Sequence, residues 1–199
     1  VLGLSATVAR KDGHHPIIFM QCGPVRHRVD ARSQAARRTF AHHVQLRETG
    51  FQLPSRQDDG RSLSMPAIYA MLAGDEGRNA LIVGDVLAAL KAGRHPVVLT
   101  ERRDHLERLR GCLEGSVPNL VVLRGGMNAG ERRAADAAMQ ANDGARLVLA
   151  TGRYLGEGFD DPRLDTLFLT LPISWEGTLA QYVGRLHREH QGKSEVVVH

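Results

Sequence analysis

Aromatic residues make up only 5% of this 199-residue chain, too few for stacking on exposed rings to be its main way of binding anything. Cysteine is almost absent. Cys22 and Cys112 stand far apart and fit no metal-ligand spacing, so no disulfide framework is expected and a reducing, cytoplasmic setting is. Ten histidines are present, but no HExxH or CxxC accompanies them. The adjacent pairs His14-His15 and His42-His43 would diverge on an extended strand, so no metal site is expected. No apolar run approaches the length of a membrane span, no signal peptide opens the chain, and no membrane partner is expected. Internal repeats and low-complexity segments are missing too.

The chain does have the makings of a core. Hydrophobic residues at 42% and charged residues at 24% are the proportions of a soluble globular protein with one core, or one core and an appendage. A net charge of +4 and a pI near 9.5 permit a polyanionic partner without requiring one. Arginine greatly outnumbers lysine, which favours bidentate phosphate contacts, although a GC-rich coding sequence would give the same bias.

From Arg94 onward apolar runs alternate with helical patterns. Pro96–Thr100, Leu120–Leu123, Arg146–Thr151, Thr166–Leu171 and Glu195–His199 read as strands, and Asp104–Leu113, Glu131–Gln140 and the stretch from Gln181 to Arg188 read as helices. Continuous rather than alternating apolar strands predict a parallel sheet covered on both faces, with ligands beyond the carboxyl ends of its strands. Before residue 94 the pattern is weaker. Pro66 opens a helix, Asp75-Glu76-Gly77 interrupts it, and Asn79–Lys91 continues it. Pro16–Cys22 and Phe40–Thr49 have strand character, and Pro54–Gly60 reads as a loop.

Two stretches carry concentrated chemistry: Leu147-Val-Leu-Ala-Thr-Gly-Arg-Tyr-Leu-Gly-Glu-Gly-Phe-Asp-Asp161 and Gln181-Tyr-Val-Gly-Arg-Leu-His-Arg188. Gly158 lets backbone approach a ligand, with the Asp160 carboxylate beside it. Arg185 and Arg188, three apart, would share one helix face and suit phosphate oxygens. In this order and separation the two stretches resemble motifs V and VI of superfamily 2 helicases and translocases, in the second RecA-like lobe. Ser5-Ala6-Thr7 resembles motif III, Thr100–His105 resembles motif IV, and Arg124–Arg133 resembles the segment that grips the nucleic-acid backbone.

The resemblance implies an α/β fold of RecA-like type, a parallel sheet with helices on both faces, preceded by a β-containing connecting segment. Residues 1–62 would close the first lobe and join the lobes, and 63–199 would form the second lobe, truncated at its end. Gly158, Asp160 and Gly184 would lie against ATP, Arg185 and Arg188 would reach its terminal phosphate, and Gln181 would help couple the lobes. Thr100, Arg102, Gly126, Arg133 and Thr151 would contact nucleic acid, and Ser5 and Thr7 would couple the two events. ATP and Mg2+ would be held mainly by the N-terminal lobe, because no Walker A sequence and no strand-terminal acidic pair occur here. Gln181-Tyr182 replaces the His-Arg of many helicases, as in restriction-enzyme-like and DNA-repair branches, which favours DNA over RNA.

Three decoys fall away. Met127 stands where a dinucleotide fingerprint needs its second glycine. Gly192-Lys193-Ser194 imitates the end of a P-loop but precedes a strand, and reads as a turn. Asp75-Glu76 imitates a magnesium-binding pair but sits between helical pieces. The expected function is therefore the C-terminal lobe of an ATP-dependent DNA helicase or translocase, inactive alone. The alternative is a non-catalytic nucleic-acid-binding module of RecA-like fold.

Overall fold

The computed structural model describes residues 3–5, 13–14, 16–29, 39–54, 63–141, 144–152, 154, 161–173 and 176–199. Among these, six strands form one sheet: β1 (Ala41–Val44), β2 (Pro96–Thr100), β3 (Leu120–Leu123), β4 (Leu147–Thr151), β5 (Thr166–Leu169) and β6 (Glu195–Val198). Their order is β1-β6-β5-β2-β4-β3 and every pairing is parallel. The helices are α1 (Pro16–Cys22), α2 (Met65–Gly74), α3 (Glu76–Lys91), α4 (Arg103–Leu113), α5 (Ala129–Gln140) and α6 (Glu176–Leu186).

Chain direction across the sheet decides which face each helix covers. The step from β2 to β3 skips one position outward, and the step from β3 to β4 returns. With right-handed crossovers, that reversal sends α4 and α5 to opposite faces. Side chains follow suit. Val98, Leu147, Leu149 and Phe168 pack with Val86 and Ala89 of α3 and with Leu106, Leu109 and Leu113 of α4. Their strand neighbours Val97, Leu99, Val148 and Leu167 face Ala135 of α5 and Tyr182 and Leu186 of α6. Two covered faces explain why all five residues of β2 are buried. The three leucines of α4 are fully buried, and each contributes about 1.5–3 kcal/mol of transfer free energy.

The segment expected to connect two lobes supplies the edge strand β1, in register with β6 from Ala41↔Glu195 to Val44↔Val198. Only these four residues of the Phe40–Thr49 run form a strand; Arg47 beyond them is anchored to Asp85 of α3 by two hydrogen bonds of 2.7 and 2.8 Å. The strand expected at Pro16–Cys22 is instead helix α1. Proline at the first helical position costs no hydrogen bond. Gly23 then ends the helix at φ +76°, its N–H donating to the Phe19 carbonyl at 2.8 Å.

Asp75 is the hinge between α2 and α3. Its carboxylate accepts from the Arg78 N–H at 2.7 Å, so it is a helix cap and not half of a magnesium pair.

Candidate functional site

The central strands β2 and β4 end together, with Thr100 and Thr151 as register partners, and β3 ends beside them. The loops that follow therefore emerge side by side at the carboxyl edge of the sheet, which gathers Thr100, Arg102, Gly126 and Thr151 into one row. Arg133 stands on the second turn of α5, just beyond it.

These residues are placed differently. Thr100 is 1% exposed and committed to the interior. Asn79 Nδ2 donates to the Ala73 carbonyl at 3.0 Å, which leaves Asn79 Oδ1 to accept from His105 Nε2 at 2.9 Å. His105 Nδ1 then accepts the Thr100 hydroxyl proton at 3.0 Å, and Thr100 Oγ1 accepts from the Arg102 N–H at 3.3 Å. In this arrangement the Thr100 hydroxyl proton has an acceptor when His105 is neutral. Burial, reinforced by the nearby Arg78 charge, pushes the imidazole down to about 4.

Arg102 grips Asp104 with both ends of its fork, at 2.9 and 2.5 Å. Arg103 is exposed, and its guanidinium lies against Gly126. Gly126 has φ +78°, which is the reason for glycine in this turn. Asn128 and Glu131 cap α5 reciprocally at 2.9 and 2.7 Å, so those backbone N–H groups are already used. Arg124 is held by Glu131 and Glu107. Arg132 and Arg133 are exposed, the latter's Nε donating to the Ala129 carbonyl at 3.3 Å.

Helix α6 turns Tyr182 and Leu186 into the core and leaves Gln181 and Gly184 exposed and Arg185 half-exposed. It ends at Leu186, so the exposed Arg188 stands past the last turn and does not share a helical face with Arg185. The reason is Lys193. Its ammonium donates to the carbonyls of Leu186 (3.1 Å), Arg188 (2.8 Å) and Pro162 (2.6 Å), drawing the chain out of the helix. The P-loop imitation Gly192-Lys193-Ser194 is thus a turn, with Gly192 at φ +88° and Lys193 as the closing cation. Ser5 is exposed. Thr7, Gly158 and Asp160 lie outside the described residues.

Sequence reasoning did not single out Glu101. It follows β2, and its Oε1 accepts from the buried Tyr182 hydroxyl at 3.3 Å. Both sit on Gly152, where a Cβ would come within 2.3 Å of each oxygen. A glycine right after a strand-terminal threonine was the available signal. Among the described residues, no group of three or more His, Cys, Asp and Glu side chains is placed to hold a metal, and no helix is long and apolar enough to cross a membrane.

The fold has counterparts in known structures. The chain superposes on T4 UvsW with a TM-score of 0.56 at 16% identity, covering 68% of this chain and 27% of that one. It superposes on the C-terminal part of the Fun30 ATPase domain with a TM-score of 0.54 at 12% identity, over 63% and 41%. The fold is RecA-like. A third counterpart is the helicase MrfA bound to DNA and AMPPNP, with a TM-score of 0.50 at 21% identity, over 61% and 17%. No protein-family model matches the chain. In sequence it is 30% identical over 123 residues to transcript termination protein A18 of cowpox virus (strain Brighton Red), covering 60% of this chain and 24% of that protein. It is 29% identical over 123 residues to transcript termination protein OPG145 of variola virus, with the same coverage. The chain thus spans about a quarter of the length of these curated relatives.

Proposed function

We propose that this RecA-like unit is the C-terminal lobe of a superfamily 2 nucleic-acid helicase or translocase, acting with an N-terminal lobe that holds ATP and Mg2+. One observation carries the reading: Gln181 and Arg185 lie on a helix packed on a RecA-like sheet, Arg188 stands just past the end of that helix, and a separate row of candidate phosphate contacts lines the carboxyl edge of the sheet. A guanidinium pair without a phosphate-binding loop suits the role of stabilising charge on a phosphoryl group bound elsewhere. Arg188 is exposed, so a nucleotide can reach it. ATP, when bound between the lobes, supplies the scissile phosphoryl group. Arg185 and Arg188 would neutralise its developing charge, Gly184 would leave room for the nucleotide, and Gln181 would contact the facing lobe. Gly158 and Asp160 are assigned to the nucleotide, and Ser5 and Thr7 to coupling, on the sequence motifs alone.

At the carboxyl edge the exposed Arg103, Arg132 and Arg133 and the half-exposed Thr151 offer donors to phosphates, with DNA the favoured polymer. The helicase MrfA, of the same fold, is bound to DNA in its structure. Thr100 contributes from behind, by shaping the β2 end.

The deciding experiment measures ATP turnover with and without DNA, for this chain alone and with an N-terminal RecA-like lobe supplied. Turnover should require the added lobe, and Arg188→Ala should lower kcat on the order of 10³-fold with folding intact. Turnover indifferent to Arg188 would overturn the reading. Salt-sensitive DNA binding with no turnover under any condition would leave a binding module.

A further inference from the structure

The end of β2, the end of β4 and the middle of α6 meet at one point. Glu101 comes from the first, Gly152 from the second and Tyr182 from the third. Tyr182 is 4% exposed, so its hydroxyl has been taken from water, and it donates to Glu101 Oε1 at 3.3 Å. A hydroxyl buried without an acceptor is unfavourable, so this carboxylate is what permits a tyrosine here. Any side chain at Gly152 would displace both groups, since a Cβ there would stand 2.3 Å from each oxygen.

Position gives the contact its meaning. Glu101 is the residue between Thr100 and Arg102, and Arg103 beside them is exposed at the carboxyl edge. Tyr182 directly follows Gln181 and lies one turn before Arg185 and Leu186. Displacement of the β2 end therefore shifts the carboxylate that α6 leans on. Val183 and Leu186 of α6 also pack against the core, through apolar contacts that are direction-tolerant. A hydrogen bond is directional, so it has made and broken states that can bias the tilt of α6.

We propose that the Tyr182–Glu101 hydrogen bond, seated on Gly152, couples polyanion contact at the β2 end to the helix that bears Arg185 and leads into Arg188. Tyr182 and Glu101 are positioning residues that touch neither nucleotide nor polymer. This inference rests on the proposed helicase reading. Coupling between sites ordinarily amounts to about 5–150-fold, and this contact would carry a share of it.

The test uses the two-lobed protein, with basal and DNA-stimulated ATP turnover measured for Tyr182→Phe, Glu101→Gln and Glu101→Ala. Tyr182→Phe keeps the ring and removes the donor, so basal turnover should persist while DNA stimulation falls about fivefold or more. Glu101→Gln retains an acceptor oxygen and should restore most of the stimulation that Glu101→Ala loses. The DNA concentration giving half-maximal binding should stay the same in all three. Should Tyr182→Phe fail to fold, the exposed Glu101 variants carry the test alone. Full stimulation in Glu101→Ala, or equal loss of basal and stimulated rates, overturns the inference. Turnover that depends on Arg188 but ignores both positions leaves the helicase reading standing and sinks only this coupling; no turnover by the two-lobed protein sinks both.

Discussion

Thr100 and Thr151 are register partners at the ends of adjacent parallel strands, yet they differ in burial. Thr100 is 1% exposed and bonded to His105 at 3.0 Å, whereas Thr151 is half-exposed. Two threonines that look alike as candidate phosphate contacts are thus a buried strut and a surface group.

That contrast separates two substitutions. Thr151→Val in the two-lobed protein should weaken DNA binding by roughly three- to tenfold with the melting temperature unchanged, the scale of one hydrogen bond. Thr100→Val strands a buried imidazole nitrogen and should cost about 1–3 kcal/mol of stability. Anisotropy on a labelled duplex and thermal melting distinguish them. A stable Thr100→Val that loses DNA affinity would reverse the assignment.

Acid should loosen this unit through His105. Its folded value is about 4 against an ordinary 6.5, so the unfolded state binds the proton more readily. Above pH 6.5 both states are neutral and the full contribution is present. It declines as pH falls from 6.5 toward 4, by at most about 3 kcal/mol. Denaturant midpoints across that range should show the slope, and His105→Gln should flatten it. An unchanged slope would mean that other groups dominate the acid limb.

Burial should rank two arginine–carboxylate contacts. Asp161 joins Arg146 at 3.3 Å and Arg163 at 2.9 Å, and the side chains of Asp161 and Arg146 are 6% and 5% exposed. Burial raises the Asp161 carboxyl, but hydrogen bonds and charge from Arg163, with charge from Arg146, more than offset it and hold it below the ordinary carboxylate range. Asp161→Ala should cost about 3–5 kcal/mol, because Arg146 would keep its charge in the interior. Arg47→Ala, at the more exposed contact with Asp85, should cost about 1 kcal/mol or less. Equal losses in urea denaturation would contradict the burial argument.

Local pattern alone was enough for the parallel sheet and its helices. Unbroken apolar runs such as Pro96–Thr100 and Leu147–Thr151 have no polar face to leave in water, so they demand cover on both sides. The Arg-bearing stretch is contiguous, so it could be singled out from sequence, but the expected helical face shared by Arg185 and Arg188 does not form, because the helix ends at Leu186. Tertiary structure decided what depends on distant partners. Pro16–Cys22 looked extended because it is rich in β-branched and aromatic residues, yet proline and Gly23 set a helix. The extent of α6 depended on Lys193, a residue that reads from sequence as a phosphate binder and closes the helix once Pro162, Leu186 and Arg188 are brought to it. Thr100 turned inward because Asn79 and His105, on two helices, complete a hydrogen-bonded chain with it. Sequence determines which residues must leave water; which polar atom finds which partner is settled only when segments far apart in the chain are packed together.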